Sequence, residues 1–320
     1  MGGAHQSTDI YMLNQKTAAD RASRPVAHHR GRGHLNRMNI HSATQPPAAE
    51  RSTVGAHRGL EPRTPKGVNW IGLQTLYQRE VRRFWKVGAQ TVAGPVVTTL
   101  LYMMIFAVAM NGARPPIDGV SVAVFVGPGL IMMSILNNAF QNSSSSLFQS
   151  KINNTASDFL TPPLSPMELT AGFSAGAMTR GLLVGAVTAA CVWPFSHYGL
   201  AHAWAVIYFA LMASLIMAAT GVLTALWAQK FDELAAVTGF VVTPLTFLSG
   251  TFYLVDRLPE PFRTISHFNP FFYLIDGFRY GLIGKAEGNL LAGVISSAVL
   301  AAALVWAVWK IFTTGWRLKS

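Results

Sequence analysis

The chain has 320 residues, of which 51% are hydrophobic and only 12% are charged. Soluble domains carry about 25% charged residues, so this deficit indicates that lipid surrounds much of the chain. The net charge of +11 would suit a nucleic-acid partner, but a hydrophobic body with few acids explains it without a polyanion, so none is predicted. The single cysteine, Cys191, excludes an intrachain disulfide and a cysteine-based metal site.

Residues 1–66 hold ten of the 25 Lys and Arg residues and show no apolar periodicity. Such a segment offers no hydrophobic surface to offset the entropy cost of ordering, so we predict a disordered basic tail. Three histidines in it, His28, His29 and His34, could bind a metal loosely, but a solvated tail is favoured, and no metal site is predicted. The folded part is expected over residues 67–320.

Six later stretches are apolar enough to cross the hydrocarbon core, which takes about 20 helical residues. Arg180 is the only charged residue within them, whereas a surface helix of this length in a soluble protein would show a charged face. We therefore predict an all-α integral membrane protein with six transmembrane helices. The predicted spans are 91–110, 120–140, 171–195, 203–228, 234–255 and 290–309.

Basic residues cluster before the first span and after the last one, which predicts that both termini are cytoplasmic. They include Arg79, Arg82, Arg83, Lys86, Lys310, Arg317 and Lys319. The first four belong to a segment in which apolar residues recur every three or four positions, with basic and amide residues between them. This pattern predicts an amphipathic helix that lies at the membrane interface. Its apolar positions are Trp70, Leu73, Tyr77, Val81 and Phe84.

Two connections between spans carry unusual patterns. Residues 141–170 are predicted to form a cytoplasmic loop, with a short helix at 147–160 that ends at Pro162 and Pro163. A helix with such rigid flanks could act as a lever for a soluble partner. In residues 255–288, Pro259 and Pro261 interrupt the backbone before two short aromatic-rich helical patterns, Phe262–Phe268 and Pro270–Ile283. Neither is long enough to span, so we predict re-entrant half-helices before the last span.

The sequence lacks the motifs of a self-powered transporter. Its only Gly-Lys pair, Gly284-Lys285, is followed by Ala286, so no phosphate-binding loop for ATP is present. The predicted spans contain no acidic residue for a proton relay. We therefore predict no catalytic residues and no bound cofactor in this chain, and energy must come from another polypeptide.

Four segments resemble the ABC-2 type permeases, the membrane subunits of bacterial ATP-binding-cassette exporters. They are VFVGPGLIMM at 124–133, DFLTPPLSPMEL at 158–169, TPLTFLSGTFY at 243–253 and HFNPFFYLIDGFRYGLIG at 267–284. The last is the most specific, and the resemblance runs from about Val68 to the C-terminus. The chain looks similar to the small permeases that pair with a separate ATPase, of the drug, polysaccharide and Nod-factor exporter type.

This resemblance implies a homodimer in the bacterial inner membrane with two copies of a cytoplasmic ATPase, which would hold ATP and Mg. It also implies that residues 145–158 form the helix that contacts the ATPase. The predicted ATPase-coupling surface comprises Phe148, Lys151, Ile152, Asn153 and Asp158. The predicted outer gate comprises Phe252, Tyr253, Asn269, Pro270, Tyr273 and Arg279.

The predicted translocation pathway uses polar or aromatic residues within otherwise aliphatic spans. These are Tyr102, Phe106, Asn137, Asn138, Thr243 and Thr246, although each could serve only helix packing. Two other functions stay open at this point. A non-transporting membrane scaffold or assembly factor would share the hydropathy without needing a stiff lever. An intramembrane enzyme would need convergent polar groups at one membrane depth, and the sequence shows no such set. The resemblance does not identify a substrate.

Overall fold

The computed structural model describes residues 67–109, 119–153, 155 and 163–316. These residues form an all-α protein without β-strands, as predicted, and the basic tail over 1–66 lies outside them. The helices are α1 Trp70–Lys86, α2 Gly88–Ala109, α3 Val122–Ile152, α4 Pro166–Ser196, α5 Ala203–Trp227, α6 Phe231–Val237, α7 Thr243–Phe247, α8 Phe262–Phe268, α9 Pro270–Ile283 and α10 Leu290–Thr314. A π-helical segment, Thr238–Val242, joins α6 to α7.

In the described part of the chain, five helices are long and apolar enough to cross a membrane: α2, α3, α4, α5 and α10. The chain is therefore an integral membrane protein. The predicted fifth span, 234–255, takes another form, because α6, the π-helical segment and α7 together cover residues 231–247. These 17 residues rise about 25 Å, less than the roughly 30 Å of a bilayer core.

Pro244 accounts for the break in this region. Proline has no backbone N–H and its ring clashes with the preceding turn, so a regular helix cannot continue through it. The N–H of Thr243, the residue before it, bonds to the carbonyl of Thr238, five positions back. The π-helical turn thus adapts the helix to the proline.

Helix α3 is longer than the sequence suggested. It has 31 residues, about 46 Å, and continues without interruption from the predicted second span to Ile152. The prediction that a loop begins at residue 141 was wrong. Within the predicted loop, Ser143 and Ser145 bond to carbonyls one turn back in the helix, and Gly221 of α5 packs against Ser143. Buried packing on both sides keeps this polar stretch helical.

Helix α3 forms the centre of the bundle, whereas α2 lies at its edge. Of the most apolar 18-residue window of α3, 78% is buried, against 17% for α2. Helix α4 approaches α3 closely, because a Cβ on Gly185 would lie 2.3 Å from the side chain of Ile135. Helix α9 is also enclosed, since Gly277 and Gly281 let it contact Phe209 and Val206 of α5.

Two ends of the bundle can be distinguished. At the first, here called the basic end, α1 packs on the start of α4 beside the last turns of α3, α5 and α10. The predicted helix of α1 is confirmed. Of its five predicted apolar positions, only Phe84 is buried within the bundle. Leu76, Glu80 and Phe84 are buried, whereas Trp70 is 71% exposed. At the opposite end, the start of α3 lies beside the end of α4, and the two predicted half-helices, α8 and α9, have the predicted bounds.

Candidate translocation pathway and coupling end

A polar cavity of about 390 Å³ lies between α2, α3 and the π-helical segment. The cavity lies halfway along two membrane-spanning helices, where polar side chains are rare. Polar groups at this depth face other protein groups or a water-filled space rather than lipid. The polar side chains that line it are Thr98, Thr99, Tyr102, Ser134, Asn137, Asn138, Gln141, Thr238 and Thr243. Four of the six predicted pathway residues therefore meet in one cavity.

Hydrogen bonds hold the wall of this cavity in place. The hydroxyl groups of Thr99 and Ser134 lie 3.2 Å apart and join α2 to α3. The amide nitrogen of Asn137 donates to the carbonyl of Met133, and that of Asn138 donates to the carbonyl of Ser134. Both asparagines thus bond within their own helix through the NH₂ group. The amide oxygen of Asn138 accepts a hydrogen bond from Arg180 of α4 at 3.4 Å.

The two remaining predicted pathway residues lie elsewhere. Thr246 is fully buried and its hydroxyl donates to the carbonyl of Thr243, so it does not line this cavity. Phe106 lies further along α2 toward the opposite end, where it stacks on Phe252 with ring centroids 4.8 Å apart. Phe252 also contacts the rings of Tyr102 and Phe247. This aromatic group brings a predicted gate residue, Phe252, against two predicted pathway residues.

A buried charge cluster lies next to this aromatic group, on the far side of Phe125. The guanidinium of Arg279 is 1% exposed, lies 3.4 Å from a carboxylate oxygen of Glu287 and 3.8 Å from one of Asp276, and covers the ring of Phe125 at 3.9 Å. Its Nη2 donates to the carbonyl of Gly250. Asp276 accepts the backbone N–H groups of Glu287 and Gly288. The cluster thus ties the turn after α7 and the loop after α9 to α9 itself.

The titration of Glu287 reflects this enclosure. Its carboxylate accepts the backbone N–H of Val255 at 2.8 Å and lies in the loop between α9 and α10. Burial raises the pKa of Glu287 to about 7, although Arg279 and the hydrogen bond from Val255 act in the other direction. Desolvation of the charged form is the larger effect.

The other predicted gate residues cap α9 or bind it and the neighbouring turn to the bundle through hydrogen bonds and aromatic contacts. Asn269 caps α9 and donates through Nδ2 to the carbonyl of Leu245 and to the hydroxyl of Ser249, which anchors α9 to α7. Pro270 is the first residue of α9, a position that tolerates proline because no intrahelical N–H is needed there. Tyr253 donates to the carbonyl of Phe247, and Tyr273 packs edge-on against Phe272.

The predicted coupling surface is only partly accessible. Phe148 was predicted to lie on it, but this residue is fully buried and packs edge-on against Phe231, because this part of α3 is inside the bundle. Lys151 donates to the carbonyls of Leu226 and Ala228 at the end of α5. Ile152 and Asn153 are exposed at the tip of α3. Asp158 lies outside the described residues.

The comparison with protein families decides what this bundle is. The family model described as "ABC-2 type transporter" matches residues 72–283, which include most of α1, the lining of the polar cavity, and Asp276 and Arg279 of the charge cluster. The chain belongs to the ABC-2 type transporter family.

Curated relatives agree with this assignment. The permease is 33% identical to "Inner membrane transport permease YadH" of Escherichia coli strain K12 over 252 residues, 78% of this chain and 98% of the relative. It is 25% identical to "Nodulation protein J" of Rhizobium leguminosarum bv. viciae over 232 residues, 70% of this chain and 86% of the relative. The corresponding protein of Rhizobium meliloti strain 1021 is 23% identical over 223 residues, 68% of this chain and 83% of the relative.

Sequence reasoning missed one buried polar group of the permease, at its basic end. Glu80 is fully buried between α1, α3 and α4, accepts a hydrogen bond from Ser146 at 2.7 Å and lies 3.6 Å from Arg83. Arg83 donates to both the carbonyl and the side-chain oxygen of Asn142. Burial lowers the pKa of Arg83, whereas Glu80 raises it. The sequence did offer one signal for this pair. Glu80 is the single acid in the basic segment of α1 and lies three residues before Arg83, a spacing that places the two side chains together on a helix.

Proposed function

We propose that this permease is the membrane subunit of an exporter, located in the bacterial inner membrane with both termini in the cytoplasm. The observation that carries the proposal is the polar cavity between α2, α3 and the π-helical segment, which lies halfway along two membrane-spanning helices. Most residues of its wall carry hydroxyl or amide groups, and polar groups at this depth in a membrane protein mark the path of a transported molecule. Aromatic rings at Phe106 and Phe252 would separate this cavity from the outside.

A second copy of the permease would complete the pathway. Helix α2, which forms one wall of the cavity, carries a row of exposed apolar side chains: Val97, Leu101, Met104 and Ile105. A homodimer that packs through this face would bury the row and enclose the cavity near a two-fold axis. Such a self-complementary interface is the commonest arrangement for homo-oligomers.

Energy would come from two copies of a separate ATPase that holds ATP and Mg, because the permease sequence has no phosphate-binding loop. The exposed tip of α3, at Ile152 and Asn153, is the proposed contact. The same helix carries Asn137 and Asn138 in the cavity, about four turns away. A push on the tip would therefore move the cavity wall directly, through one continuous helix.

The test is transport by the permease together with a candidate ATPase subunit that co-purifies with it. Inside-out vesicles would be supplied with ATP and with lipids, glycans or drugs, and uptake would be compared with vesicles whose ATPase lacks its phosphate-loop lysine. We expect uptake that requires ATP and falls at least ten-fold in Asn137→Leu, which removes an amide from the cavity. Absence of ATP-dependent uptake, with no effect of the permease on ATPase activity, would favour the scaffold function instead.

A further inference from the structure

The basic end of the bundle contains a second cavity, of about 570 Å³, between α1 and the last turns of α3. Four cationic side chains of α1 line it: Arg79, Arg82, Arg83 and Lys86. Their spacing of three or four residues places them on one side of the helix. A volume in this range suits a small ligand or a headgroup.

The charge of this cavity is not balanced by its own wall. Among the described residues that line it, none is acidic. The acid nearest in sequence, Glu80, is fully buried and lies 3.4 Å from Arg79 and 3.6 Å from Arg83, so one carboxylate faces four cations. The wall formed by α3 adds amide groups from Gln149 and Asn153. Cations together with neutral donors form the kind of environment that binds phosphate oxygens.

The position of α1 indicates where such a phosphate would come from. Only Val87 separates α1 from α2, the first membrane-spanning helix, so the cavity lies at the depth where a span meets the headgroups. Trp70, Ile71 and Trp85 at the two ends of α1 are 71%, 81% and 67% exposed. Exposed tryptophan and isoleucine on a basic helix are typical of contact with the lipid interface rather than with water.

We propose that the cavity between α1 and α3 binds the phosphate-bearing headgroup of an anionic glycerophospholipid. The cations of α1 hold the phosphate, and the apolar residues at the ends of α1 contact the lipid around it. The lipid would thus bridge the interfacial helix to the tip of α3. This site is separate from the polar cavity, and it does not depend on the proposed transport function.

The test measures lipid binding to the purified full-length permease in neutral detergent by native mass spectrometry. The probes are phosphatidylglycerol, phosphatidylcholine and inorganic phosphate. We expect phosphatidylglycerol to bind in preference to phosphatidylcholine, and R82Q/K86Q to weaken its binding about 30-fold, from about 1 kcal/mol for each cation near the headgroups. Both side chains are exposed, so the variant is expected to fold. Its unfolding midpoint checks this, and the single variant K86Q should give an intermediate loss.

The matched control is K230Q/K310Q, which also removes two positive charges, but from residues that do not line the cavity. It should bind phosphatidylglycerol like the wild type. Equal loss in both double variants would reveal general electrostatic attraction and overturn the site. Equal binding of both lipids would also overturn it. Displacement of the lipid by millimolar inorganic phosphate would assign the cavity to a soluble phosphate compound instead. Unchanged lipid binding, with loss of ATPase co-purification in R82Q/K86Q, would mark a surface for a protein partner.

Discussion

Arg180, the only charged residue within the predicted spans, donates from Nη2 to the side-chain oxygen of Asn138 at 3.4 Å, and Asn138 lines the polar cavity. Its contact with Asn138 connects a positive charge to the cavity wall, where it would favour a partial negative charge on a transported molecule.

Replacement of Arg180 by methionine should separate function from stability. A buried arginine near the middle of a span costs about 2.5–3.5 kcal/mol on insertion scales, so Arg180→Met is expected to leave the unfolding midpoint unchanged or raise it. ATP-dependent uptake should fall at least ten-fold. Arg180→Lys, which keeps the charge, should retain more uptake. A lower midpoint together with unchanged uptake in Arg180→Met would show that the arginine serves structure rather than transport.

Replacement of Glu80 by glutamine should destabilise the basic end. The change leaves the partly buried guanidinium of Arg83 without its opposite charge. Breaking a buried pair costs about 3–5 kcal/mol, and the partial exposure of Arg83 reduces this to about 1–3 kcal/mol. Thermal unfolding in detergent would measure the loss. Asp232→Asn, at an exposed acid of α6, is the control and should leave the midpoint unchanged.

Replacement of Gly277 by alanine should disrupt the packing of α9. A Cβ at this position would lie 2.2 Å from the ring of Phe209, and a ring enclosed in the core has little room to move. We expect a loss of about 1–3 kcal/mol from overpacking, measured by thermal unfolding. Gly239→Ala, where a Cβ would meet no atom within 4 Å, is the matched variant. Equal midpoints for both would contradict the close approach of α9 to α5.

The buried carboxyl of Glu287 predicts a pH dependence of stability. Its pKa is about 7 in the folded protein against an ordinary value of 4.5, so the folded state binds more protons than the unfolded state between these values. Stability should therefore fall as the pH rises from about 4.5 to 7. Unfolding midpoints across this window would show the slope, and Glu287→Gln should remove most of it. An unchanged slope in the variant would exclude Glu287 as the source.

Two neighbouring positions on α3 should behave differently. Ile152→Asp changes an exposed residue at the tip and should preserve folding while reducing stimulation of the ATPase by the permease. Phe148→Ala removes a fully buried ring and should cost about 3–5 kcal/mol. Thermal unfolding and ATPase assays of the two-component complex distinguish these effects. Full stimulation in Ile152→Asp would place the ATPase contact elsewhere.

Most of the helices could be predicted because their signals are local. The bounds of α8 and α9 follow from Pro259, Pro261 and Pro270, which act on the adjacent backbone. The cavity was also partly predictable, since Asn137 and Asn138 stand out in an aliphatic span. The burial of Phe148 and Glu80 was not, because it depends on how α1, α4 and α6 pack around the tip of α3.

The sequence by itself determined that this protein resides in a membrane, because long uncharged apolar stretches are stable only there. It also determined that the chain lacks a phosphate-binding loop of its own. Only the tertiary structure decided that the serines after Phe140 continue α3 and that Arg180 contacts Asn138. Both outcomes depend on hydrogen bonds and close packing between segments far apart in the chain, which no local pattern encodes.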